Sequence, residues 1–440
     1  MTRLKFGFFI GALIIGASGL GCGGSDRAVD SGDGRTHLEV WSWNVAGNCL
    51  LDANEDFKKE YPEIDSELII TSTMVQQRLM LSLISGVGAP DVTQYEAVDA
   101  PRYNISGRML DLTEWAMKYK DDFSQAYWIN CEYEGKVYAI PWDMGPCGVF
   151  YKRNIFEQYE IDPDAIDTWA DYLAAGEKIY QLSNGKTKLM AASPGGMGWY
   201  FEILLQQAEG NVFDDQGRIA LDSPATRKAL DVLKTWLESD CIASVDVFGP
   251  EYMSSFKNDK IACYPLAVWL GSNIKGYAPE TSGNWGVFRL PAIEPGGLRV
   301  AILGGSVLTI PAQTKHKEAA WKFVEFMMCN KTTQLNHYRN HDLFPALITT
   351  FDDPFFDEED PFYANQKVRR LFATEIDKIH RLNRTKDWRE ANRYLGQNLS
   401  AWATTHRDNE RFIKDTVAQM HSNLERELAP KAGKEAPIHE

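Results

Sequence analysis

The chain has 440 residues, 44% of them apolar, enough for one large core or two mid-sized ones, which excludes a disordered chain or a disulfide-held miniprotein. Its 46 Lys plus Arg against 61 Asp plus Glu leave a formal net charge of -15, which disfavours a non-specific nucleic-acid binder or a coat on anionic membranes. A sugar, a peptide or a cation remains, and the 13 tryptophans suggest that some line something other than a core.

Met1 to Gly21 reads as a secretory signal peptide: Arg3 and Lys5, an apolar run from Phe6 to Ile15, then small residues up to Cys22. The apolar run is too short for a permanent membrane span. Residues 22–36 form a small, Gly-rich, polar linker. Cys22 at the cleavage point resembles the bacterial lipoprotein signal, in which the first mature thiol takes a diacylglyceryl group. An ordinary signal peptide is the competing reading, and both predict export.

The linker gives way to a predicted strand from His37 to Trp43, a helix from about Asn48 to Pro62, a strand from Ile64 to Ile70 and a helix from Val75 to Ile84. The Gly86 to Pro90 break then precedes a strand ending at Tyr95. This alternation is the grammar of a parallel sheet wrapped by helices. It restarts with strands at Tyr138–Pro141 and Val149–Tyr151 and helices at Asp167–Tyr180, Trp199–Ala208 and Pro224–Ser239. Further strands are predicted at Ile261–Tyr264, Trp285–Phe288 and Ser306–Ile310. The remainder reads as helices at Glu318–Cys329, Gln366–Leu382, Trp388–Thr404 and Phe412–Leu428. Two α/β lobes fit this order better than one sheet.

Export permits disulfides, and six cysteines follow Cys22. The shortest loops would pair Cys131 with Cys147 and Cys241 with Cys263, leaving Cys49 with Cys329, although sequence alone does not fix the connectivity. No Cys-x-x-Cys or Cys/His box points to zinc, and His337 and His341 have no third ligand nearby, so no metal or cofactor is expected. No phosphate-cradling loop, dinucleotide fingerprint, nucleophile elbow or zinc-protease helix occurs. Glu96, Asp99, Asp143 and Glu202 could supply a glycosidase pair, yet acidic residues beside aromatics also hydrogen-bond sugar hydroxyls without reaction.

The aromatics favour that second reading. Trp43, Tyr95, Trp142, Trp199 with Tyr200, and Trp269 each fall at the carboxyl end of a strand or in the loop beyond, where open α/β sheets hold ligands. A flat ring suits the C–H face of a pyranose, and Asn44, Gln94, Glu96 and Asp143 can pair with its hydroxyls.

Several segments in order resemble the extracellular solute-binding proteins, family 1, the carbohydrate-binding lipoproteins of ABC importers. They are Leu38-Glu39-Val40-Trp41-Ser42-Trp43, Phe57 to Pro62, Ala89-Pro90-Asp91-Val92, Glu134 to Trp142 leading to Val149-Phe150-Tyr151-Lys152-Arg153, Asp167-Thr168-Trp169, Ser255 to Trp269, and Leu303-Gly304-Gly305-Ser306 to Val324. The resemblance implies a type II periplasmic-binding-protein fold, two α/β lobes with hinge crossings and a helical C-terminal region. It implies a first lobe of residues 37–143 plus 288–340 and a second of 144–287 plus 345–440. Crossings are expected near Asp143 to Gly145, Asn284 to Val287 and Asn340 to Leu347. The ligand positions it implies are Trp43, Asn44, Tyr95, Glu96, Trp142, Asp143, Trp199, Tyr200, Trp269 and the Gly304-Gly305 turn, with Asp99, Arg339 and Trp388 as further candidates. The implied partners are a sugar or oligosaccharide, membrane permease subunits and a lipid anchor on Cys22, with no catalysis by the chain. A polyamine or other cation in the same fold and an exported carbohydrate-active enzyme are the rivals.

Overall fold

The computed structural model describes residues 34–71, 74–374, 376–405 and 407–428, so the signal peptide, Cys22 and most of the linker lie outside the described residues. The chain begins as strand β1 (Thr36–Trp43), helix α1 (Asn44–Glu60), β2 (Ile64–Thr71), α2 (Met74–Ser85) and β3 (Val92–Glu96). Leu38, Val40 and Trp41 of β1 are buried beneath α1 and α2, while Pro62 lies two residues past the end of α1. Helix α3 (Gln125–Cys131) and the short β4 (Ala139–Pro141) follow.

The second half of the alternation comprises β5 (Cys147–Lys152), α4 (Trp169–Leu182), α5 (Met197–Gln207), α6 (Pro224–Glu238), β6 (Cys263–Ala267), α7 (Leu270–Tyr277) and β7 (Trp285–Arg289). Thr168 and Asp171 close a capping box on α4, and Ser223 caps α6 with Pro224 in its first turn. Then come β8 (Ser306–Thr309), α8 (Lys317–Cys329), α9 (Lys331–His341), α10 (Trp388–Thr404) and α11 (Asn409–Leu428).

The strands sort into two main sheets. The first has the order β2-β1-β3-β8-β4, with β1 parallel to both β2 and β3, and β8 antiparallel to β3 and β4. The second has the order β6-β5-β7, antiparallel throughout. The expected parallel sheet is therefore parallel only in its first three strands.

Three segments pass between the sheets. Asp143 to Pro146 links β4 to β5. Leu303 donates its N–H to the Gly145 carbonyl at 2.9 Å, and Met144 donates to Phe344 at 2.9 Å, so the other two passages run on either side of the first. The Cβ that Gly145 lacks would sit 1.8 Å from the Leu303 carbonyl oxygen, so only glycine permits this approach. The expected crossings at Asp143 to Gly145 and Asn340 to Leu347 agree with this arrangement. The one expected at Asn284 to Val287 does not: Trp285–Arg289 pairs with β5 inside the second sheet. Residues 290–301 stay there too, with Ala292 bridged to Thr168 and Arg299 ion-paired to Asp167 at 2.6 Å. The chain returns to the first sheet only at Ile302 to Gly305.

The helix expected over Gln366–Leu382 is helical only at Val368–Ala373, with a 3-10 turn at Ile376–Lys378. Helix α9 was not anticipated, because the residues it buries include Thr333, Gln334 and His337 rather than an apolar stripe. The six cysteines of the folded part are all free thiols, five of them buried. Leu189 donates its N–H to the Cys241 carbonyl at 2.7 Å and accepts from the Cys263 N–H at 2.8 Å, and both thiols are free. Cys131 and Cys147 lie at the ends of elements in different lobes.

Candidate functional site

The carboxyl ends of β1 and β3 face the second lobe. There the side chain of Gln94 accepts from the Ser42 hydroxyl at 2.6 Å and the Trp43 N–H at 3.3 Å, fixing the turn into α1. Trp43 is buried at that turn, and Asn44 opens α1, its side chain outside those described. Glu96, the last residue of β3, is half-exposed, and Asp99, on the turn just beyond, is only 4% exposed. Burial and the neighbouring Asp99 carboxylate raise the Glu96 pKa.

Arg389, on the first turn of α10, reaches this acidic turn from the other side. Its Nε donates to Asp99 Oδ1 at 2.8 Å, its Nη2 donates to Gln76 at 2.9 Å, and Glu96 lies 3.5 Å away. Arg384, just upstream, donates to Glu202 of α5 at 2.8 Å and stacks over the buried ring of Trp388 at 4.6 Å. Its second terminal nitrogen, Nη1, is buried without a hydrogen-bond partner.

The second lobe supplies an aromatic wall. Trp199, at 41% exposed, meets Trp269 edge-on with centroids 5.6 Å apart, and Phe248 lies 5.5 Å from Trp199 and 5.9 Å from Trp269. Phe248 holds a left-handed backbone, φ 66°, that turns its ring into this group. Trp269 donates its indole N–H to the Leu303 carbonyl at 3.1 Å, which sets the ring against the crossing strand beside exposed Gly304. The Gly304 carbonyl accepts from Tyr127 at 2.9 Å, and the Gly305 carbonyl accepts from the Ala97 N–H at 3.0 Å.

The structure thus brings Trp199, Trp269 and Gly304 together on one wall and Glu96 and Asp99 on the other. It removes three expected aromatics from the cleft. Tyr95 is fully buried and stacked on Tyr103 at 4.5 Å within the first lobe. Trp142 is fully buried and donates to His337 at 3.3 Å. Tyr200 points into the second-lobe core, donating to the Ala191 carbonyl at 2.7 Å and meeting Trp236 edge-on. Tyr95 sits next to Glu96 on a strand and Tyr200 next to Trp199 on a helix, and in each pair the neighbouring side chains point in different directions.

Asp143 is also withdrawn, because its carboxylate accepts from the Ser306 N–H at 2.9 Å and from the Ser306 hydroxyl, buried at the hinge. Burial raises its pKa. Arg339 stacks over Phe355 at 4.5 Å, and Trp388 is buried, so neither faces the cleft. Of the four carboxylates that might have formed a glycosidase pair, Asp99, Asp143 and Glu202 are each engaged by Arg389, Ser306 and Arg384. His337 is a core residue and His341 binds Asp52 at 2.7 Å. No group of three or more metal-ligating side chains occurs among the described residues. Sequence reasoning missed Phe248, Arg384 and Arg389; the two arginines flanking Trp388 were the available signal.

A cavity of about 530 Å3 opens away from this wall, between α3 and residues 373–381, with Ile129, Phe351 and Ile376 in its lining.

Comparison with known proteins agrees with this architecture. The sequence model of the bacterial extracellular solute-binding proteins matches residues 50–332. An arabinooligosaccharide-binding protein of Halalkalibacterium halodurans is 24% identical over 368 residues, 80% of this chain and 81% of that one. A lactose-binding protein of Rhizobium radiobacter is 22% identical, covering 79% of this chain and 83% of its own. Among solved structures, the galacto-N-biose/lacto-N-biose I-binding protein of Bifidobacterium longum, in complex with lacto-N-biose, superposes with a TM-score of 0.76 at 20% identity, covering 89% of this chain and 98% of that one.

Proposed function

The chain belongs to the bacterial extracellular solute-binding proteins, and we propose that it binds a sugar or oligosaccharide between its lobes and delivers it to the membrane permease of an ABC importer. The observation that carries the ligand class is the partly exposed wall of Trp199, Phe248 and Trp269 on the second lobe, with Glu96 and Asp99 on the first lobe and Arg389 reaching across to them. Aromatic faces suit the C–H face of a pyranose, and fixed charged groups suit its hydroxyls. The names of the relatives, which bind arabinooligosaccharides and lactose, support the same class.

Binding then acts as a population shift. The sugar stacks on one lobe, hydrogen-bonds the other, and favours the closed form by its differential affinity for that form. The engagement of Asp99, Asp143 and Glu202 by other side chains supports binding without bond cleavage. We further propose that the leader directs export and that Cys22 carries the lipid anchor, on the strength of the leader's charge and apolar pattern. Residues 37–143 and 306–341 form the first lobe in this reading, and the rest of the folded chain forms the second.

A thermal-shift screen against a carbohydrate library tests the reading, since a bound ligand stabilises by mass action. A sugar should raise the Tm and be recovered intact. Calorimetric heat from spermidine with none from any mono- or oligosaccharide would replace the sugar by a cation, and turnover of an oligosaccharide would replace binding by catalysis.

A further inference from the structure

Helix α2 runs from the cleft edge of the first sheet back to the opposite edge, and the loop after it, Gly86 to Gly88, lies at the pole where β1 begins at Thr36. Three large apolar side chains stand out there: Leu81 is 69% exposed, Ile84 69% and Val87 70%. Leu81 and Ile84 stand three residues apart on the outer face of α2 and Val87 follows in the loop, while Val75, Leu79 and Leu83 fill the core. From Leu68 to Pro90 the sequence holds no Asp or Glu, although the whole chain carries 61 of them.

The edges of this corner are basic. Gln313 donates to the Ser82 carbonyl at 2.9 Å, which seats the 313–317 loop against α2 and puts exposed Lys315 and Lys317 beside it. Ala312 bonds to the carbonyl of Arg108 at 2.8 Å, which adds a third exposed cation. The nearest carboxylate in sequence, Asp91, is turned inward onto the Glu39 N–H at 3.0 Å and the Thr314 hydroxyl. Glu318, exposed at the start of α8, is the acid on the adjoining element.

We infer that this corner, Leu81, Ile84 and Val87 ringed by Arg108, Lys315 and Lys317, is a lipid-facing footprint that rests on the membrane surface. Apolar side chains bordered by cations are the composition that settles at a bilayer interface. The net charge of -15 argues against a molecule that coats a bilayer by charge, but this corner is locally apolar and basic. The chain outside the described residues enters at the same pole, so a tether on residues 22–33 would bring this corner to the bilayer first. The inference rests on the export and anchoring reading only for the presence of a membrane nearby.

The test reads depth with a nitroxide on the anchored full chain in vesicles of phosphatidylcholine with a minority of phosphatidylglycerol. The label is placed at Ile84→Cys and, as control, at Leu182→Cys on the second lobe, 56% exposed. The footprint requires a several-fold higher ratio of oxygen to nickel-complex accessibility at position 84 than at 182. It also requires that the ratio fall in the double variant R108E/K315E, since each cation near an anionic surface is worth about fivefold in partitioning. Equal aqueous accessibility at both positions overturns the inference. So does protection of position 84 that persists without lipid and rises with protein concentration, which would mark a face for a second copy.

Flotation with the vesicles reports anchoring separately. If the chain does not float, the mature chain is added to the same vesicles from solution, and an aqueous reading at position 84 again overturns the footprint. A sugar-induced Tm shift, measured alongside, reports on the cleft independently.

Discussion

Arg389 on α10 and Asp99 on the turn after β3 form an ion pair between the lobes, with Arg389 Nε 2.8 Å from the carboxylate, and the same guanidinium also holds Gln76. Asp99 is nearly buried while Arg389 is half-exposed, so the pair is partly screened and its worth is modest. Its position matters more than its strength, because it is made only when the lobes approach. Arg389→Gln should expand the unliganded molecule in small-angle scattering and weaken sugar binding by about two- to fivefold, since less of the closed form is then populated. Raising salt should move the wild type in the same direction and leave the variant unchanged.

Trp269→Ala and Trp199→Ala should each abolish most of the sugar-induced Tm shift. Trp142→Phe should leave the ligand Kd within about twofold, because Trp142 is enclosed in the core beside His337. Trp142→Ala, by contrast, should lower stability by about 3–5 kcal/mol through the cavity it leaves. A variant series in calorimetry and denaturant melts separates the two roles.

Gly305 lies at φ 95°, and an added Cβ would come 2.3 Å from the Tyr127 ring and 2.7 Å from the Asp143 carbonyl. Gly305→Ala should therefore cost about 2 kcal/mol or more, a loss read in urea melts, because the neighbours are hinge backbone and a fully buried ring.

Burial lowers the His337 pKa to about 3. The unfolded chain takes up this proton near pH 6.5 and the folded chain does not until about pH 3, so stability falls as pH drops through that window. The slope contributed is up to about 1.4 kcal/mol per pH unit. His337→Leu should flatten the acid limb of a Tm-against-pH curve relative to wild type and leave the curve above pH 7 parallel to it.

Burial raises the pKa of the Cys49, Cys131, Cys147 and Cys263 thiols. These thiols should react with a thiol reagent only after unfolding, and a reductant should leave the Tm unchanged. A Tm drop on reduction would sink the free-thiol assignment.

Much of the fold was legible because apolar periodicity and breakers agree: β1, α1, β2, α2 and β3 appear within a few residues of where Trp43, Pro62 and Gly86 suggested. The crossings were harder, because Trp285–Arg289 reads as a strand whichever sheet it joins, and only its pairing with β5 decides. In the site, Trp199 and Trp269 were found by their place after strands, and so were Tyr95, Trp142 and Tyr200, which point the other way. Strand-end position fixes where a residue sits but not which of two adjacent side chains faces outward. Arg389 was invisible for a different reason: its partner Asp99 lies 290 residues away in sequence.

The tie from Trp269 to the Leu303 carbonyl has a spectroscopic consequence. The indole belongs to the second lobe and its acceptor to the strand that leaves for the first, so hinge rotation changes both that bond and the solvent around Trp199. The two rings make the cleft its own fluorophore, with an emission maximum that tracks how far the lobes have come together.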